Sequence, residues 1–179
     1  MPIDELFDRL PRVETERAVL RPATFEEAER IIADIPSAGV QRTILVEASS
    51  IPSSLSIDKL GLHQPDPWIV TTHGGVMLGI AAIIHWHLRH ARGEMVMALA
   101  EDAWEQEFGE EIAQAVVRFG FEIMELNRID ARVGMNDESY TDALKNAGLV
   151  CDAIMREQLR VNEIFTDIAI FASIAARLG

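Results

Sequence analysis

Residues 103–123, "AWEQEFGEEIAQAVVRFGFEI", restrict the fold more than any other stretch. Phe108, Ile112, Ala115, Val116, Phe119 and Ile123 recur there at helical spacing and give one continuous apolar stripe. Such a helix must bury that stripe against another layer. The flanking segments supply the layer. "PWIVTT", "GIAAIIHWHLRH" and "EMVMALAE" precede it and read as strands, joined by turns at "HGG" and "ARG". "NRIDARVGM" follows as a further strand, "SYTDALKNAGL" as a helix closed by Gly148, and "CDAIMREQLRVNEIFTDIAIFASI" as two long strands.

Near the N-terminus "RAVLRPA" reads as a short strand leading into the helix "TFEEAERIIADI". Thr24 caps that helix, Glu27 completes a capping box, and Pro36 ends it. The order strand–helix, antiparallel strands, helix, strand, helix, strands is that of an α+β chain with a mixed sheet. At 179 residues, 49% of them hydrophobic, a single domain over 1–179 is expected. Residues 36–67, rich in Ser and Pro, read as a variable excursion, mobile or partly helical, that could cover a cleft.

The formal charge of −13 disfavours nucleic acid or an anionic membrane as partner and favours a cationic one. No apolar run is long enough to cross a bilayer, and the acidic start "MPIDELFDRL" is unlike a signal peptide. The lone Cys151 cannot form an internal disulfide, so the cytoplasm is the expected compartment, and Cys151 reads as a small buried hydrophobe.

Three phrases, "TERAVLRPATFEEAERI", "FGFEIMELNRIDARV" and "GLVCDAIMREQLRVNEIFTDIAIFA", resemble the GNAT acetyltransferase superfamily, and the likeness runs from about residue 15 to 174. The branch they resemble acetylates ribosomal-protein N-termini. The resemblance implies a GNAT-like, mostly antiparallel twisted sheet with helices on both faces. It implies acetyl-CoA or another acyl-CoA as donor, an amine of a small molecule or protein N-terminus as acceptor, and a homodimer as a possible assembly. It also implies that the backbone of "VMALA", with Met97 and Leu99, receives the cofactor, together with Gly109 and Asp137.

In that family a glycine-rich loop at the start of the central helix wraps the diphosphate with bare amides. Ungapped counting places the loop on Trp104–Gly109, with Glu105 and Glu107 where the family has glycine. Glu110 and Glu111 follow, and Glu101 and Asp102 precede, with no Lys or Arg among them. Two unit charges about 4 Å apart interact by roughly 4 kcal/mol at an effective dielectric near 20. A helix start carrying several carboxylates is therefore expected to bind acetyl-CoA weakly or not at all, although acids there suit the helix dipole without any ligand. At the second family signature Asp137 stands for Asn, Tyr140 for Ser, and Leu144 for the tyrosine that protonates the departing thiolate. Tyr140, the single tyrosine, is a candidate displaced acid, or else a partly exposed structural residue.

In "IIHWHLRH", strand alternation sets His85, His87 and Arg89 on one side and Trp86 and His90 on the other. Imidazole titrates near neutrality, so His85 or His87 can act as general base or touch substrate, or simply sit solvated on an edge strand. No third-ligand spacing accompanies them, and no metal is expected. Glu94 opens the next strand, where it can orient an amine or relay its proton, or lie at the surface. Arg89 and Arg92 are the cations nearest the helix start in sequence, facing either a phosphate or water. Two readings stand side by side. One is an acyl-CoA-dependent N-acyltransferase with an unorthodox cofactor site. The other is the same fold without CoA, using His85, His87 or Tyr140 in different chemistry or binding a partner without chemistry.

Overall fold

The computed structural model describes residues 3–50 and 62–176. The first capped helix forms as its sequence dictates. The Thr24 hydroxyl accepts the Glu27 amide and the Glu27 carboxylate accepts the Thr24 amide, which starts α2 (Phe25–Ala33). The remaining helices are α1 (Ile3–Asp8), α3 (Gly39–Ser49), α4 (Glu101–Glu105), α5 (Phe108–Glu122) and α6 (Glu138–Asn146). The strands are β1 (Val13–Glu14), β2 (Ala18–Pro22), β3 (Leu62–His63), β4 (Trp68–Thr72), β5 (Met77–His87), β6 (Arg92–Leu99), β7 (Arg128–Gly134), β8 (Val150–Val161) and β9 (Ile164–Ile174).

Among the described residues these strands form one sheet in the order β1-β2-β4-β5-β6-β7-β9-β8, with β3 pairing beside β5. Every described pairing is antiparallel except β6 with β7, the two strands that α5 connects. Alternation along β6 builds both cores at once. Met95, Met97 and Leu99 join Phe108, Ile112, Val116 and Phe119 of α5 on one face. Val96 and Ala98 join Ile32 of α2 and Ile44 and Leu45 of α3 on the other. The α+β sheet with helices on both faces, expected from the sequence, is therefore the fold.

Several local expectations change. The helix at 103–123 is two helices, because Glu107 adopts a left-handed conformation (φ 60°) between α4 and α5. Ile123 falls at the end of α5 and is exposed, so the buried stripe stops at Phe119. The strand read from "GIAAIIHWHLRH", β5, ends at His87. A bulge after Ile84, with His85 at φ 52°, breaks the alternation, and Leu88–His90 form a 3-10 turn, so Arg89 and His90 leave the strand. Tyr140 is fully buried and Cys151 is exposed on the edge strand β8, each opposite to its expected environment. Within the excursion at 36–67, α3 is part of the core through Ile44, Leu45 and Ala48, while residues 51–61 lie outside the described residues.

The ring of Phe119 meets Trp68 edge-on at 5.1 Å, beneath the middle of the sheet. Replacing Phe119 with Ala should destabilise the protein by roughly 3–5 kcal/mol. Denaturant titration checks this, and an unchanged midpoint would mean that α5 does not pack through this side chain.

Candidate functional site

β6 and β7 share rungs at Arg92 with Arg128, Gly93 with Ile129 and Glu94 with Asp130. No rung follows. β6 continues along β5 to Leu99 and β7 continues along β9 to Gly134, so the two parallel strands part beyond Glu94 and leave a wedge. The starts of α4, α5 and α6 gather at its wide end.

Glu94 sits where the wedge begins. Its carboxylate is nearly buried, accepting Arg132 Nε at 2.6 Å and Arg132 Nη2 at 3.2 Å and meeting His85 Nδ1 at 3.2 Å. Burial alone pushes the carboxyl up. The hydrogen bonds from His85 and Arg132, with the Arg132 charge, outweigh it and hold Glu94 below the usual carboxylate range. Glu94 is therefore ionised at neutral pH. The left-handed backbone of His85 turns the ring toward it, and the His85 amide donates to Gln64 Oε1 at 2.8 Å. A carboxylate on Nδ1 selects the tautomer protonated there and leaves Nε2 as an acceptor on a ring about one-third exposed.

His87 does not join this group. Its Nδ1 is buried without a partner and its ring lies 4.2 Å from that of His90. Burial, with the nearby His90 and Arg92, lowers its pKa and favours the neutral ring.

Tyr140 approaches from the far face of the sheet. The Asp137 carboxylate caps α6 by accepting the Tyr140 amide at 3.1 Å, and the Tyr140 ring stands 5.9 Å from that of Trp104. Its hydroxyl closes no hydrogen bond of ordinary geometry, and the Met97 amide is on that side. Burial, then the charges of Asp137 and Glu94, raise the phenol far above its ordinary value, against a small opposing effect of the Met97 amide. The phenol keeps its proton. The side chains of Met97, Leu99 and Leu144 are core, so any contact of the first two with a ligand runs through their backbone.

Three adjoining cavities of about 780, 490 and 280 Å³ form a trough at the wide end of the wedge. The first two share Ser37, Asp137 and Ser139, and the last two share Trp104 and Ser139. Asp137 and Gly109 thus line the trough, whereas His85, His87, Glu94 and Tyr140 do not. The first cavity carries Asp137, Glu138, Glu157 and Asp167. The second adds Asp34, Glu101 and Glu105, and the third adds Glu107, Glu110 and Asp142. Among the described residues no Lys, Arg or His lines any of the three. Nor do three His, Cys, Asp or Glu side chains gather there, or elsewhere among them, in a way that could hold a metal.

The start of α5 is occupied by the protein's own groups. A Cβ added to Gly109 would come within 2.1 Å of Cζ3 of Trp104, so the indole lies on that glycine. Arg17, which precedes β2, donates to the carbonyls of Gln106 at 3.0 Å and Glu107 at 3.1 Å and to Glu111 at 2.8 Å. Its guanidinium also covers the Phe108 ring at 4.3 Å. Reading along the sequence missed Arg17 because it is 94 positions from Glu111. It also missed Arg132 and Gln64, which only strand pairing brings to Glu94 and His85. The strand alternation of "NRIDARV" carried a trace of Arg132, since Arg128, Asp130 and Arg132 share one face.

Comparison with known proteins accords with this architecture. Residues 17–150 match the acetyltransferase (GNAT) domain family. An uncharacterized N-acetyltransferase of Bacillus subtilis (strain 168), YoaA, is 25% identical over 179 residues, spanning 93% of this chain and 98% of that protein. The ribosomal-protein-S5-alanine acetyltransferase of Vibrio fischeri superposes with a TM-score of 0.68 at 12% identity, over 95% of this chain and 100% of the other. The spermidine N-acetyltransferase of Vibrio cholerae, solved with CoA and spermine, gives a TM-score of 0.68 at 13% identity over 88% and 95%. At these identities the superpositions establish the fold alone. The family match, however, extends from the start of β2 to the start of β8 and takes in the whole wedge. This chain belongs to the GNAT acetyltransferase domain family.

Proposed function

We propose that this protein transfers an acyl group from an acyl-CoA to an amine of a small molecule or protein N-terminus, with an atypical hold on the donor. One observation carries the reading: the Glu94 carboxylate, kept ionised between His85 and Arg132 at the point where β6 and β7 part. An ammonium must lose a proton before its nitrogen can attack, and Glu94 or the free Nε2 of His85 receives it. The Met97 amide faces the wedge and can polarise a carbonyl oxygen. Tyr140 keeps its proton at the hydroxyl on the same side and can donate it. Acyl-CoA would supply the activated thioester.

The residues fit only part of that donor. The wedge, with the backbone of Met97 and Leu99, suits a thin pantetheine arm. The start of α5 does not suit a diphosphate, because Trp104 covers Gly109 and the lining is acidic. This second feature favours the alternative, a GNAT fold that has given up CoA for another reaction in the same cleft or for binding alone. Exposed Val150 and Ile154 on β8, with Ile164 and Phe165 on β9, support a homodimer as the assembly. The single unpaired thiol of Cys151 suits the cytoplasm.

Calorimetry should find weak acetyl-CoA binding to the unmodified protein. Glu105→Gly with Glu107→Gly should improve it more than either change alone, and adding Trp104→Ala should improve it further by uncovering Gly109. Tight stoichiometric binding by the unmodified protein would overturn this account of the helix start, and no binding by any variant would leave the alternative as the better reading.

With an accepted amine, Glu94→Gln should lower kcat/KM by roughly 10²–10⁴-fold, read from thiol release. Full activity would remove Glu94 from the mechanism. The same carboxylate should give a pH signature in stability. Its folded pKa lies below the ordinary 4.5, so its stabilisation is complete above that pH and is lost as pH falls through the folded value. The stability gap between the unmodified protein and Glu94→Gln should therefore narrow below about pH 4.5. A gap independent of pH would show that ionised Glu94 does not hold His85 and Arg132 together.

A further inference from the structure

We propose that the largest cavity, at the end of β7, binds an aliphatic ligand carrying two or more positive charges, such as a diamine or polyamine. The inference goes beyond acyl transfer and stands whether or not an acyl group is moved.

Gln41 of α3 supplies the first indication. It is 97% buried, and its Nε2 donates to the Arg132 carbonyl at 3.2 Å. Because that partner is a carbonyl, the amide's other end must be its oxygen. Gln41 Oε1 is buried without a partner, in a residue that lines the cavity. An unpaired buried acceptor is unfavourable, and an ammonium donor in the cavity would satisfy it.

The carboxylates are the second indication, and they come from two separate elements. Asp137 and Glu138 stand at the start of α6, and Glu157 and Asp167 stand on the β8–β9 hairpin. The hairpin pair is held in place, since Asp167 Oδ1 accepts the Glu157 amide at 2.8 Å where Glu157 takes a left-handed turn (φ 49°). Burial pushes the Asp137 carboxyl up, a shift that a nearby cation would reverse. Ile164 and Phe165 belong to the same lining and offer an aliphatic chain apolar contact.

The competing occupants fit less well. An anion would meet carboxylates with no cation among the lining residues. A bare metal ion lacks a cluster of three ligating side chains among the described residues, and about 780 Å³ far exceeds its needs. Carboxylates from two separate elements, with apolar side chains in the same lining, match two positive charges joined by methylenes better than they match one charge.

The test uses 1,4-diaminobutane and 1-aminobutane as probes, measured by calorimetry on the full chain with no acyl donor present. The diamine should bind about tenfold more tightly than the monoamine, as one added ion pair implies, and the difference should shrink with salt. Glu157→Gln with Asp167→Asn should erase most of that preference, and so should Glu138→Gln, an exposed change that leaves the fold intact. Gln41→Leu should weaken both amines alike, because it removes the shared acceptor. Equal affinities, absence of diamine binding, or preference unaltered in the carboxylate variants would overturn the proposal. Acyl transfer is read separately by thiol release, so a protein that binds the diamine but releases no thiol would refute the proposed function and leave this inference standing.

Discussion

Burying the Glu94 carboxylate between the Arg132 guanidinium and the His85 imidazole ties β5, β6 and β7 together at the point where the sheet stops being continuous. His85 comes from β5, Glu94 from β6 and Arg132 from β7. Beyond Glu94 the ladder between β6 and β7 is absent, so side chains rather than backbone hold the two strands in register. Removing one member of a buried ion pair typically costs about 3–5 kcal/mol, because the other charge is left without compensation. The group is thus a structural clamp, and in the proposed reaction it is also the base. The left-handed His85 backbone at the bulge is the conformational cost of that placement, and Gln64 Oε1 accepts the amide there.

The start of α5 shows how one electrostatic motif can serve stability without a ligand. Carboxylates near a helix N-terminus are favourable with respect to its dipole. Here Arg17 completes the arrangement by binding Glu111 and the two carbonyls that end the loop before α5. Trp104 then covers Gly109, the one small residue at this turn, and its ring meets Tyr140. Arg17 is a donor, so it braces the loop carbonyls and Glu111 rather than the first amides of α5, for which the N-cap residue Glu107 supplies no side-chain acceptor. Glu107 takes the left-handed backbone that glycine adopts most easily.

The architecture was legible because it rests on period and caps. The stripe Phe108, Ile112, Val116, Phe119 and the Thr24–Glu27 capping box are local signals, and both appear in the structure as read. The site was legible only in its members. His85 and Glu94 are nine positions apart, yet their meeting depends on a bulge that strict alternation cannot foresee. Ungapped counting passed over Trp104 as an obstacle, since its position on Gly109 follows from the break between α4 and α5. From the sequence Tyr140 reads as a displaced acid or as a partly exposed structural residue. In the structure its side chain is directed beneath the sheet, and residue type alone does not convey that direction.

The charge of the chain acquires a location from these results. A net charge of −13 spread evenly would aid solubility and little else. Instead, ten carboxylates line the trough where β6 and β7 end, and no cation lines it among the described residues. A cleft with low-dielectric walls focuses such a field, so the trough would oppose a polyphosphate and favour a cation. The two partners of an acyl transfer would therefore experience opposite forces at the same opening. Glu94 lies outside the trough lining, paired with Arg132 and hydrogen-bonded to His85, so it need not add to the repulsion of the donor. In the proposed reaction, keeping the acids that would attract an ammonium apart from the acid that would deprotonate it would let a single cleft do both without stacking unpaired negative charge at the reacting centre.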